Sequence, residues 1–189
     1  MKNEIISEFS IRLLKEYASR QMKKEIDRYE FEDYLFDNLY ILTVLMNNNS
    51  KNDKSLRIDN YFNSFEHYFY MLNQDIFNGK CTKKKEYQPL AVAFYDQEGS
   101  RVRSNRKNEL MPHIHALFLL NPTIKKRFEE VFLQRQTYGV QNIFEADLKK
   151  YYGGKGIEHV VSYSSKYMFS GKNYKNVSTF NIFPKHFRI

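Results

Sequence analysis

The sequence predicts an α+β domain with a central, largely antiparallel sheet covered by helices. Two observations carry this. Four short apolar runs, 39–46, 90–95, 112–120 and 142–149, have the length and the β-branched and aromatic content of strands. Between and around them lie longer segments whose apolar residues recur every three or four positions, the period of a helix face. Some strands are joined by hairpin-scale connections and others by helices, which mixes antiparallel neighbours with crossovers. A chain of 189 residues suits one domain, or one domain with an extension.

Each element has its own justification. Residues 3–37 place Ile6, Phe9, Leu13, Leu14 and Tyr17 at helical spacing with no Gly or Pro between them, so one long helix or two shorter ones are expected. This stretch reads as a helical extension, 1–38, ahead of the main domain, 39–189. Leu39–Met46 (LYILTVLM) reads as a buried strand, and the Asn-rich run after it as a loop. Residues 58–77 return to helical spacing through Ile58, Phe62, Phe65, Phe69, Leu72 and Ile76, with Gly79 just past their end as a stop. Lys83, Lys84 and Lys85 form a solvated charge run. After the strand 90–95, residues 96–110 (DQEGSRVRSNRKNEL) form a long polar connection. PHIHALFLL at 112–120 is a strand. Asn121-Pro122 then starts a helix with an Asn cap and a proline in its first turn. NIFEADLK at 142–149 is a strand, GGKG at 153–156 a turn, and IEHVVSYSSKYMF at 157–169 a helix.

Composition narrows the function classes. The chain contains 30 Lys and Arg against 22 Asp and Glu, for a net charge of +8. Residues 1–40 hold seven basic and nine acidic side chains, so the basic excess belongs to the rest. Fifteen Tyr and 16 Phe accompany it. Cations that neutralise phosphates and rings that stack on bases make nucleic acid an expected partner. No apolar run is long enough to cross a membrane. The N-terminus carries acidic residues where a signal peptide needs an apolar stretch, which points to a cytoplasmic location. The single cysteine, Cys81, excludes an internal disulfide and a cysteine metal cluster.

Two constellations can carry chemistry. In His113-Ile114-His115, residues i and i+2 of a strand project from the same face, so both imidazoles point together and can share a divalent ion. Leu117 and Leu119 continue that face into the core, while Ile114, Ala116 and Phe118 pack the other. In Tyr163-Ser164-Ser165-Lys166-Tyr167, the spacing i, i+3, i+4 puts Tyr163, Lys166 and Tyr167 on one helix face. Ile157, Val161, Ser164 and Met168 anchor the neighbouring face. A tyrosine hydroxyl can attack a phosphodiester and form a covalent intermediate, and a lysine one turn away can hold the phosphate or stabilise the phenolate. His159, one turn before Tyr163, reads as a partly buried structural residue, and His67 and His186 as structural or exposed. In a tyrosine-rich chain, packing alone also accounts for a Tyr-bearing helix.

Taken together, "MPHIHALFLL" and "VVSYSSKYMFS" resemble the paired motifs of the HUH endonuclease superfamily. More narrowly they resemble those of the rolling-circle replication initiators (Rep proteins) of single-stranded DNA phages and plasmids. LYILTVLM, with Thr43 near its centre, is similar to that family's first motif. The resemblance implies a ferredoxin-like or RRM-like sheet with the His pair on a central strand and the Tyr helix beside it. It implies Mg²⁺ or Mn²⁺ held by His113, His115 and an upstream acid. Asp96 is the first choice for that acid, Glu98, of the same strand parity, the second, and Glu109 is closer in sequence but lies in the loop. The connection from Asp96 to His113 is longer than is usual in the family.

The resemblance further implies site-specific nicking of single-stranded DNA at a replication origin. Tyr163 would form a 5′-phosphotyrosine bond, Tyr167 would be a second nucleophile, and Lys166 would contact the phosphate. Arg101, Arg103, Arg106 and Lys107, with the basic tail, would follow the DNA backbone. No phosphate-binding G-x-x-x-x-G-K-[ST] loop occurs, so a separate helicase and polymerase are expected partners. The competing expectation is a basic nucleic-acid-binding regulator on a similar fold, with no catalysis.

Overall fold

In the computed structural model, residues 2–47, 54–96, 112–165, 180–185 and 187 are described. The chain begins with two helices, α1 (Lys2–Met22) and α2 (Arg28–Asn38). Lys23, at positive φ, breaks them apart. Asp27 restarts the helix through a capping box: its carboxylate accepts the Glu30 N–H at 2.9 Å, and the Glu30 carboxylate accepts the Asp27 N–H at 3.2 Å. The D-x-x-E spacing thus selects two helices over one.

α2 runs directly into β1 (Leu39–Met46). There follow α3 (Lys54–Ile76), β2 (Leu90–Asp96), β3 (His113–Leu119), α4 (Lys125–Gln134), β4 (Ile143–Lys150), α5 (Gly156–Ser165) and β5 (Phe180–Phe183). Gly79, at φ +77°, donates its N–H to the Gln74 carbonyl at 2.7 Å and closes the end of α3 in the left-handed conformation that glycine adopts without cost. Asn121 caps the turn before α4 by accepting the Thr123 N–H at 2.8 Å.

The five strands form one antiparallel sheet in the order β4-β1-β3-β2-β5. From β1 to β4 the chain order is β-α-β-β-α-β with strands arranged 4-1-3-2, the ferredoxin-like arrangement. No local periodicity marks the fifth strand. Residues 172–189 read as a basic tail, yet Phe180–Phe183 pairs with β2 along Ala91–Phe94. Four residues are too few to display a two-residue period, and burial is decided by the neighbour they meet.

Both faces of the sheet are covered. Tyr40, Leu42, Val44, Ala91, Ala93, Ile114, Ala116 and Phe118 face α3 and α4, in a core filled by Phe62, Phe65, Phe69 and Phe128. The alternate residues Leu39, Leu90, Val92, Phe94, Leu117 and Leu119 face α1, α2 and α5 through Leu13, Leu14, Tyr17, Leu35, Ile157 and Val161. The N-terminal helices therefore pack into the same core as the sheet. No described helix is long and apolar enough to cross a membrane.

Candidate metal centre

The candidate site residues lie where one face of the sheet changes from apolar to polar. On β3, Leu119 and Leu117 are core residues, and the next two positions of the same parity are His115 and His113. The register sets their neighbours. Asp96, the last residue of β2, lies directly across from His113, and Thr43 of β1 across from His115. Opposed residues of an antiparallel pair project to the same side, so all four side chains meet.

Asp96 is fully buried, and His113 and His115 are 2% and 8% exposed. Asp96 Oδ2 lies 3.5 Å from His113 Nε2 and 3.8 Å from His115 Nε2, and the two Nε2 atoms are 3.1 Å apart. Ligand atoms held about 2.1 Å from one ion are about 3.0 to 3.4 Å from each other, between octahedral and tetrahedral geometry. The observed spacings approach that range, and among the described residues this is the group of His, Cys, Asp or Glu that could hold a metal ion. Two imidazole nitrogens and one carboxylate oxygen suit a borderline or hard divalent cation.

Thr43 extends the group outward. Its Oγ1 is 3.2 Å from His115 Nδ1. A hydroxyl bonded to one ring nitrogen fixes the ring's orientation and leaves Nε2 directed at the shared point.

Tyr163 completes the arrangement from α5. Ile157, Val161 and Ser164 bury one side of this helix against the core. That leaves Tyr163 on the other side, 53% exposed, with its ring centroid 5.8 Å from that of His115. A solvent-accessible phenol thus borders a buried ligand set.

Of the residues singled out in the sequence, Asp96, His113, His115 and Tyr163 come together. Glu98, Arg101, Arg103, Arg106, Lys107, Glu109, Lys166, Tyr167 and His186 lie outside the described residues. In the tail, Lys185 pairs with Glu66 of α3. His159 is exposed rather than partly buried: it points into a groove beside the end of β4 instead of into the core. His67 is exposed on α3, in the opposite helical layer. The contact missed in the sequence is that of Thr43 with His115. Its one signal was a small hydroxyl in the middle of an otherwise apolar strand.

Among known proteins, no family model, no curated protein and no solved structure matches this chain. The chemistry of the site therefore rests on its own geometry.

Proposed function

We propose that the protein is a metal-dependent nickase and strand transferase for single-stranded DNA, acting at an origin of rolling-circle replication. The observation that carries this reading is the meeting of Tyr163 with the Asp96, His113 and His115 group. A nucleic-acid-binding module without catalysis needs neither a buried two-His, one-carboxylate set nor an accessible phenol against it.

In this reading His113, His115 and Asp96 would hold Mg²⁺ or Mn²⁺. The ion would supply Lewis-acid polarisation of a scissile phosphate. Thr43 holds the His115 ring in place, so the ligand set needs little rearrangement. The Tyr163 hydroxyl attacks phosphorus. The new bond is the Tyr163 O–P ester, the broken one is the P–O3′ bond, and the phenolic proton is balanced by the proton gained on the 3′ oxygen. The products are a 5′-phosphotyrosine and a free 3′-OH. One phosphodiester replaces another, so rejoining needs no ATP. By the resemblance of Tyr163-Ser164-Ser165-Lys166-Tyr167 to the family's motif, Lys166 would contact the phosphate and Tyr167 would be a second nucleophile.

The test uses single-stranded oligonucleotides from the protein's own genetic element, incubated with the full chain and Mn²⁺ and resolved on a denaturing gel. The expected result is a covalent protein–DNA adduct that disappears with EDTA and with Tyr163→Phe, or only with Tyr163→Phe and Tyr167→Phe combined if the tyrosines substitute for one another. Salt-sensitive binding with no adduct on any substrate would leave the non-catalytic reading in its place.

A further inference from the structure

We infer that the single strand acted on at Tyr163 leaves the centre toward β4, in a cationic groove between the end of that strand and the start of α5. The inference rests on the reading of the Asp96–His113–His115 group as a nucleic-acid centre and adds where the flanking nucleotides lie.

The two sides of the centre differ. Toward β5 the sheet face is closed: Phe94, across from His115, packs its ring on Phe180 at 5.5 Å, and Phe180 meets Phe9 of α1 at 6.1 Å. Arg12 lies over the Phe9 ring. Toward β4 the face opens into a groove of about 480 Å³. It contains Ile41, two residues before Thr43 on the same strand face, and His159, one helical turn before Tyr163. Two residues of strand span about 7 Å, so the groove begins within a nucleotide's reach of the centre.

The lining suits a sugar–phosphate backbone. Lys149, Lys150, Lys155 and His159 line it, Lys150 with its ammonium over the Phe36 ring, and among the described lining residues there is no carboxylate. Asp147, across from Thr43 on the same face, pairs with Lys149 at 3.1 Å, so a phosphate there would share Lys149 with that carboxylate, and Glu158 lies beside Gly156. The floor is a turn in which Gly153 and Gly156 both adopt positive φ, leading into the N-terminus of α5, where the helix dipole favours negative charge. Tyr152, 74% exposed, stands in the wall as a ring on which a base can stack. Cations, a helix N-terminus and an exposed ring continuous with an accessible phenol match one flexible strand better than a rigid duplex.

The test measures binding of a fluorescein-labelled 12-nucleotide single strand to the full chain by anisotropy across a salt series. The same proteins are assayed in parallel for the Mn²⁺-dependent adduct. Lys149→Ala combined with Lys155→Ala is expected to weaken binding about tenfold and to lower the salt slope by about 1.4, the loss of two phosphate contacts on a single strand. Tyr152→Ala is expected to weaken binding about tenfold with the slope unchanged. Lys126→Ala, on α4 in the opposite layer, serves as the control. If the double lysine variant matches Lys126→Ala in affinity and slope, the groove is not the path, even when the adduct forms. If the lysines matter as expected and no adduct forms, the groove stands and the nickase reading falls.

Discussion

The two faces of the sheet are built from the same strands and do opposite things. On β3, Ile114, Ala116 and Phe118 face α3 and α4 in an apolar layer, where Phe118 touches Phe65, Phe69 and Phe128. One residue out of phase, Leu119 and Leu117 start an equally apolar layer under α1 and α5, but the run ends in His115 and His113. The period-2 alternation of a strand lets a single seven-residue segment carry apolar core on both sides and, at one end of one side, a pair of imidazoles that could hold a metal ion. The first face supplies stability. The second holds polar groups at one end only, within a scaffold that the first face keeps rigid.

This division is open to attack from either side, and the largest effect belongs to the apolar face. Phe118→Ala removes a fully buried ring and is expected to cost about 3 to 5 kcal/mol in urea or thermal unfolding. That loss should be the same with Mn²⁺ or EDTA, because the cavity lies on the side away from the ligands.

The next effect belongs to the polar end. In the wild type, a divalent ion at one hundred times its Kd should stabilise the fold by about 2.7 kcal/mol, because it binds only the folded ligand set. Asp96→Asn is expected to abolish that Mn²⁺-dependent rise in melting temperature. An unchanged rise would remove Asp96 from the site.

A smaller effect is expected one contact further out. Thr43→Val keeps the shape but loses the hydroxyl bonded to His115, and ion affinity measured by calorimetry should fall about 10- to 100-fold. Thr43→Ser should restore most of it. The smallest stability effect is expected at Tyr163. Its ring is half exposed, so Tyr163→Phe should change unfolding free energy by no more than about 0.5 kcal/mol while removing the adduct, alone or combined with Tyr167→Phe.

Much of this arrangement was legible in the sequence because it follows from local periodicity. The runs 39–46 and 112–120 read as strands, and Leu39–Met46 and His113–Leu119 form them. His113 and His115 share a face by spacing alone. The choice of Asp96 needed more. Its position at the end of the strand before the His pair favours it, but its place opposite His113 depends on the β2–β3 register, which no single strand encodes. The Thr43–His115 contact and the groove beside Lys149 are further from the sequence still. The first joins β1 to β3, neighbours because β3 inserts between β1 and β2, and the second lies where β4 pairs with the outer side of β1. The strand Phe180–Phe183 was hidden for the same reason: it is a strand because Ala91–Phe94 offers it an edge.

The most direct test of the central claim is electron paramagnetic resonance of Mn²⁺ bound to the full chain, with detection of nitrogen couplings to the ion. The account predicts one ion per chain coupled to two imidazole nitrogens, reduced to one in His113→Ala or His115→Ala. Mn²⁺ that binds without nitrogen coupling, or with couplings untouched by both variants, would contradict it.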